Sequence, residues 1–225
     1  MVSVIIPCKE IDKYTERCLN ALKTQTYKDY EIFVVDDQKC QGFPADKRNW
    51  AILRATGDFL AFIDSDSYPT PSWLENALKW LEKGYIGVCG AGILPPDAPL
   101  LEQAADLVLK FLPFSYRVTP KKQRIVTDYP TFNLIVKKTN IKFQHYLTGE
   151  DTLYCGELSK LGKILYTPDV WVYHNRRPLF RPFWKQISTY GRHRGHLIKL
   201  ALLGFLTTIV VYFYNFIKGF LRKKI

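Results

Sequence analysis

Four clusters in this sequence carry side chains able to hold a metal or move a proton: Asp36-Asp37, Asp64-Ser65-Asp66, Glu150-Asp151 and His174. A hard divalent cation sitting on a diphosphate takes oxygen ligands and tolerates an imidazole. Two carboxylates and one histidine meet that need without a zinc cage. The chain has no GxGxxG and no GxxxxGK[ST], so a bound diphosphate lacks a glycine-rich cradle and falls to metal and basic side chains. Lys47-Arg48 supplies such charge. Each cluster also has a plain structural alternative. Asp, Ser and Pro around Asp64 suit a solvated turn, Glu150-Asp151 suits the positive end of a helix dipole, and His174 suits a satisfied structural histidine.

The elements that would position these groups are legible in the apolar pattern. VSVIIP (2–7), EIFVVDD (31–37), DFLAFID (58–64) and YIGVCGAG (85–92) are short apolar runs, as expected of strands buried on both faces. Helical spacing occupies the intervals at Tyr14–Leu22, Ala45–Ala55 and Ser72–Glu82. This alternation predicts crossover units and a mostly parallel sheet flanked by helices, whose ligands collect at the carboxyl ends of the strands. Farther on, Leu100–Leu112 and Glu150–Leu161 read as helices, FNLIVKK (132–138) as a strand, and 162–174 as strand segments split by Pro168. The stretch 113–124 reads as a loop, and with Tyr129–Asn133 it is a candidate wall for an acceptor. Three of the four clusters follow predicted strands and the fourth opens a helix, so they can converge on one rim.

Charge divides the chain. Of its 225 residues, the first 175 hold 21 basic and 21 acidic side chains, whereas Arg176–Ile225 holds 11 basic ones and no acidic one. A uniformly basic surface would point to nucleic acid; a basic tail interleaved with aromatic and aliphatic residues points to an anionic membrane surface. Phe183, Ile187 and Tyr190 lie at helical spacing beside Lys185, Arg192 and Arg194, an interfacial pattern whose plain alternative is a packed helix with a solvated face. Leu200–Ile217 is uncharged and, as a helix, about 27 Å long, against roughly 30 Å of hydrocarbon. The expected layout is a folded domain over 1–178 and a membrane-associated tail over 179–225, with the catalytic domain facing the cytoplasm. The five scattered cysteines form no CxxC pair and fit a reducing compartment. The opening MVSVIIP has no basic n-region, so a secretory leader is not expected there.

Taken in order, these stretches resemble the family-2 glycosyltransferases of the GT-A fold. VSVIIPCKE is similar to their first strand, with Pro7-Cys8-Lys9-Glu10 where Pro-Thr-Tyr-Asn is usual. FVVDD is similar to the second, and ADKRNWAILRATGDFLAFIDSDSYPTPSWLE to their Arg-Asn helix and DxD motif. TGEDTLY (148–154) resembles the acidic motif carrying the catalytic base, and VWVYHNR (170–176) a late strand ending in a metal-proximal histidine. The resemblance runs from Val2 to His174. It implies nucleotide-sugar contacts at Pro7, Glu10, Asp37, Lys47, Arg48, Asp64 and Ser65. It also implies a divalent metal (Mg or Mn) at Asp66, with Asp64 and His174, and a catalytic base at Asp151.

The implied reaction is inverting transfer from a nucleotide-diphosphate sugar to a hydroxyl on a glycan or lipid-linked acceptor. No QxxRW motif is present, which argues against a processive polymerase. A glycosidase also uses two carboxylates but has no need of a DxD beside a basic helix. Three alternatives stand beside this reading. A polyprenyl-phosphate sugar synthase needs no base, a non-catalytic nucleotide-sugar-binding membrane protein needs no intact acidic set, and a nucleotidyltransferase would carry a Gly-rich basic loop after its first strand.

Overall fold

A computed structural model describes residues 1–111, 115–146, 149–183 and 185. The described residues fall into two units. The first joins Met1–Ala98 to Tyr116–Asn175, and the second joins Pro99–Ser115 to the stretch from Arg176 onward.

The first unit is built on two sheets. Its strands are β1 (Val2–Pro7), β2 (Tyr30–Val35), β3 (Phe59–Ile63), β4 (Ser67–Pro69), β5 (Gly87–Cys89), β6 (Gly92–Ile93), β7 (Arg124–Val126), β8 (Asn133–Lys137), β9 (Ile164–Tyr166) and β10 (Val172–His174). Helices α1 (Lys13–Lys23), α2 (Pro44–Ile52), α3 (Trp73–Glu82) and α5 (Glu150–Leu161) lie between them, and α4 (Leu100–Lys110) belongs to the second unit. The large sheet has the order β2-β1-β3-β8-β5-β9-β7, and the small one β4-β10-β6. Every residue of β1 is buried, as its unbroken apolar run requires. Leu60, Phe62 and Ile63 of β3 are inaccessible to solvent, each such side chain worth roughly 1.5–3 kcal/mol of transfer free energy.

The large sheet is mixed, which corrects the mostly parallel sheet expected from sequence. β1 pairs parallel with β2 and β3, but β8 runs antiparallel between β3 and β5, and β7 antiparallel to β9. The apolar run of β8 records burial on both faces, and burial carries no strand direction. Two short strands, β4 and β7, also escaped the sequence pattern, because three residues are too few to show a period.

Glycines and one asparagine govern the passage from the large sheet to the small one. The expected single strand over 85–92 breaks into β5 and β6 at Gly90, where a Cβ would sit 1.6 Å from the carbonyl oxygen of Val170. Buried Asn133 spans the junction: it accepts from Trp73 Nε1 (2.8 Å) and donates to the carbonyls of Gly90 (2.7 Å) and Val170 (2.9 Å). The hydroxyl of Tyr129 donates to the same Gly90 carbonyl at 2.7 Å. Tyr129 and Asn133 are therefore buried scaffold, both without solvent exposure, and not the acceptor wall the sequence suggested.

In the second unit, Arg176 is buried. Its Nε donates to Asp106 at 2.9 Å and its backbone N–H to Glu102 at 3.0 Å, both on α4. Ala105, Val108 and Phe183 form a small apolar cluster with Leu109 and Leu179. Among the described residues, no helix is long and apolar enough to cross a membrane. The segment Leu200–Ile217 and the basic residues Arg192 and Arg194 lie outside the described residues.

Candidate active site

Helix α2 is the organiser of the acidic rim. It begins at Pro44, suited to the first helical position by its fixed φ and missing N–H, and Asp46 Oδ2 accepts from the Phe43 N–H at 2.8 Å. Three successive side chains then reach five different segments. Lys47 donates to the Cys8 carbonyl beyond β1 at 2.5 Å and forms an ion pair with Asp37 beyond β2. Arg48 bridges two carboxylates, Asp64 Oδ1 at 3.1 Å and Glu150 Oε1 at 3.0 Å. Asn49 clamps the backbone of Phe143, donating to its carbonyl at 2.7 Å and accepting from its N–H at 2.9 Å.

These contacts join stretches far apart in sequence. The side chain of Arg48 is 4% exposed, that of Glu150 11% and that of Asp64 37%, so the Glu150 arm is buried and the Asp64 arm opens to solvent. The guanidinium lies 5.4 Å from the ring centroid of Phe143, which stacks on Tyr154 of α5 at 4.0 Å. Arg48 thereby ties the acidic turn after β3 to the first turn of α5. Asp151, next to Glu150 in that turn, accepts from the Thr152 N–H at 2.9 Å.

The turn after β3 closes through the Ser67 N–H, which donates to the Asp64 carbonyl at 3.0 Å. Ser67 pairs with His174 in the small sheet, and this register brings the last residue of the DxD beside the histidine. His174 Nε2 lies 3.5 Å from Asp66 Oδ1, and the Asn175 N–H donates to the Asp66 carbonyl at 3.1 Å. Phe132 stacks on the imidazole with centroids 4.5 Å apart. Gly92 makes room for both rings, since a Cβ there would meet Phe132 at 2.7 Å and His174 at 3.0 Å.

Of the residues expected at the site, Asp64, Asp66, Arg48 and His174 thus lie together, with Glu150 and Asp151 linked to them through Arg48. Lys47 and Asp37 form their own pair at the ends of β1 and β2. Ser65 is half-buried within the acidic turn, Pro7 is buried at the end of β1, and Glu10 is exposed in the turn that follows. Asp36 fits the plain reading, its carboxylate accepting from the Lys39 N–H at 3.0 Å within a turn. Sequence reasoning missed the bridging role of Arg48 and the stacking of Phe132, since nothing in local spacing reports either contact.

Burial raises the Cys8 thiol above its ordinary value, and Asp36 adds to the rise against Lys47. That burial favours the neutral thiol over the thiolate at this cysteine. Among the described residues, no group of three or more His, Cys, Asp and Glu side chains gathers into a cage. The Asp66–His174 pair, with the carboxylate 41% and the imidazole 21% exposed, offers carboxylate oxygen and imidazole nitrogen donors that could hold a cation at an open position. That suits Mg or Mn, which fill their coordination with water and substrate phosphate oxygens.

The Glycosyl transferase family 2 profile matches residues 3–43 and 41–142, more than half of the chain. The chain belongs to this family. It is 26% identical over 187 residues to the poly(ribitol-phosphate) beta-N-acetylglucosaminyltransferase TarS of Staphylococcus aureus, covering 68% of this chain and 31% of TarS. It is 25% identical over 246 residues to a dolichyl N-acetyl-alpha-D-glucosaminyl phosphate 3-beta-D-2,3-diacetamido-2,3-dideoxy-beta-D-glucuronosyltransferase of Methanococcus voltae, covering 91% of this chain and 76% of that protein. The chain thus spans about a third of TarS. Its fold matches that of TarS residues 1–349 in complex with UDP-GlcNAc, at a TM-score of 0.58, 18% identity and coverage of 91% and 66%. It also matches a mannosyltransferase of Pyrobaculum calidifontis in complex with GDP-Man and Mn2+, at 0.59, 18%, 89% and 64%. The α/β architecture with a mixed sheet flanked by helices is the one these neighbours share.

Proposed function

We propose that this chain is a metal-dependent, inverting glycosyltransferase. It moves a sugar from a nucleotide-diphosphate sugar to a hydroxyl on a lipid-linked or membrane-proximal glycan. The observation that carries this reading is the joining of two parts by one cation. Arg48 binds Asp64 of the acidic turn and Glu150 of α5, so a donor held at Asp64–Asp66 and a proton acceptor at Asp151 share one frame. Relatives that act on ribitol-phosphate polymer and on dolichyl-linked sugar support a glycan or lipid-linked acceptor.

On this reading Asp37, with Lys47 fixing its carboxylate, meets the nucleotide at the ends of β1 and β2, beside Pro7 and Glu10. Asp64 and Ser65 line the donor, and Asp66 and His174 hold the divalent cation. When bound, Mg or Mn supplies Lewis-acid stabilisation of the departing diphosphate. Asp151 takes the proton from the acceptor hydroxyl as it attacks the anomeric carbon. Attack opposite the leaving group gives inversion. A neutral body with a basic, apolar C-terminal stretch supports work at a membrane, with the catalytic domain on the cytoplasmic side.

The test is nucleoside diphosphate release across a panel of nucleotide sugars, with membrane lipid extract as acceptor. Activity should require Mg or Mn, and Asp66→Ala should lose both turnover and metal-dependent nucleotide binding. Full activity in a chelator, or in Asp66→Ala, would overturn the metal assignment. Transfer to polyprenyl phosphate alone would overturn the hydroxyl acceptor.

A further inference from the structure

Helix α5 starts without a conventional cap. Its N-cap is Gly149, at φ 87°, and no side chain there receives the first amides. Within the turn the Asp151 carboxylate accepts the Thr152 N–H at 2.9 Å, and side chains on both flanks hold the turn from outside. On one flank Glu150 is held by Arg48. On the other, the Thr152 hydroxyl donates to Asp128 Oδ1 at 2.9 Å, while Asp128 Oδ2 accepts from Arg117 at 3.1 Å.

Asp128 itself is well anchored. The next residue, Tyr129, is fully buried with its hydroxyl on the Gly90 carbonyl at 2.7 Å, and its own carbonyl accepts from Cys155 Sγ of α5 at 3.3 Å. Arg117 lies 5.7 Å from the ring centroids of both Tyr116 and Tyr129, and its side chain is only 19% exposed. Burial disfavours its charge, but Tyr116 and Asp128 outweigh that and hold the guanidinium's affinity for its proton above the ordinary value.

Successive residues of an α-helix are turned about 100° from one another. Residues 150 and 152 therefore point to nearly opposite sides, with 151 between them. Fixing both flanks fixes the rotation of the turn about its axis, and with it the direction of Asp151. We infer that Thr152, Asp128 and Arg117 are positioning residues, a relay that aims Asp151 at the acceptor hydroxyl. The inference rests on Asp151 being the base. Catalytic geometry is unforgiving here: misplacement by about 1 Å can cost around 100-fold in rate.

The experiment measures kcat and donor KM in the full-length protein for Thr152→Val, Thr152→Ser, Asp128→Asn and Asp151→Asn, with melting curves alongside. Thr152→Val and Asp128→Asn should lower kcat by about tenfold while donor KM stays within about twofold, and Thr152→Ser should recover most of the rate. Asp128→Asn keeps the shape of the side chain, so the claim stays testable should Thr152→Val fail to fold. If Asp151→Asn loses transfer while both relay variants keep the normal kcat, the relay is wrong and the base stands. If Asp151→Asn transfers normally, the base assignment fails and the relay falls with it. Equal losses in kcat and donor affinity, or no recovery in Thr152→Ser, would make the contacts merely structural and overturn the inference.

Discussion

Arg48→Met is the most discriminating perturbation of this rim, because it removes the charge of Arg48 while keeping most of the buried chain. The two arms should respond unequally. Breaking a buried pair by deleting one partner costs about 3–5 kcal/mol, since the remaining charge is left uncompensated. With its side chain only 11% exposed, Glu150 belongs to that class. Asp64, at 37%, is partly solvated and contributes less than about 1 kcal/mol. The flexible apolar side chain of methionine regains part of the loss against Phe143, over whose ring the guanidinium lies. The net expectation is about 3 kcal/mol of lost stability, or roughly 6–12 °C in melting midpoint for a domain of this size. Urea denaturation followed by tryptophan fluorescence reads it, with Trp73 fully buried in the core. A double-mutant cycle then divides the effect. Arg48 with Glu150→Gln should couple by about 2 kcal/mol or more, and Arg48 with Asp64→Asn by less than about 1. Transfer should collapse in Arg48→Met even where the fold survives, because the acidic turn and the helix of Asp151 are no longer tied. Equal coupling to both carboxylates, or a loss below about 1 kcal/mol in Arg48→Met, would refute the reasoning.

Asp151→Asn should retain nucleotide-sugar binding and lose transfer by about 100-fold or more, as read by calorimetry and product release; normal transfer would move the base elsewhere. Glu31 offers a pH test remote from the site. Burial alone would raise its pKa, but hydrogen bonds from Ser3 (2.6 Å) and from the Thr56 amide (2.7 Å) and hydroxyl (2.8 Å) hold it below its ordinary value. A depressed folded pKa means stabilisation that is present above the unfolded value of 4.5 and lost as pH falls through the folded one. Glu31→Gln should therefore be about 1 kcal/mol less stable at pH 7, with the gap closing below the ordinary carboxylate range; a gap that persists in acid would contradict this. Removing the residues after Lys185 should release the protein from membranes while sparing Leu179 and Phe183, which pack with Ala105 and Val108 in the second unit. In the full-length chain, detergent should extract the protein and high salt should not, because each tail Lys or Arg gives only about 1 kcal/mol at an anionic surface and apolar burial is indifferent to screening.

The legibility of this molecule follows the range of the forces involved. Strand β1 and helix α3 were readable because burial on both faces, or on one, writes a pattern directly into neighbouring residues. The acidic turn after β3 was readable for the same local reason, a buried run ending in carboxylates and prolines. Strand direction was not, since β8 shows the same apolar string whichever way it runs, and only its hydrogen bonds to β3 and β5 decide. The path of the chain at Gly90 was half readable. A glycine was visible, but its reason is the Val170 carbonyl, whose sequence neighbourhood gives no hint of the approach.

Arg48 is the furthest case. From sequence it was a cation suited to a diphosphate, whereas in the fold both of its terminal nitrogens already meet carboxylates, one of them 102 residues away. A buried guanidinium needs partners wherever they come from, and its planar fork can serve two at once. One residue can therefore satisfy its own burial only by fastening two segments together. The same requirement explains why Glu150 tolerates burial at the start of a helix that lacks a side-chain cap: its charge is answered by Arg48. The pairing that stabilises the rim is thus also what brings the helix of Asp151 to the acidic turn. Stability and placement here depend on the same atoms, which is why a substitution that preserves shape but not charge should damage both together.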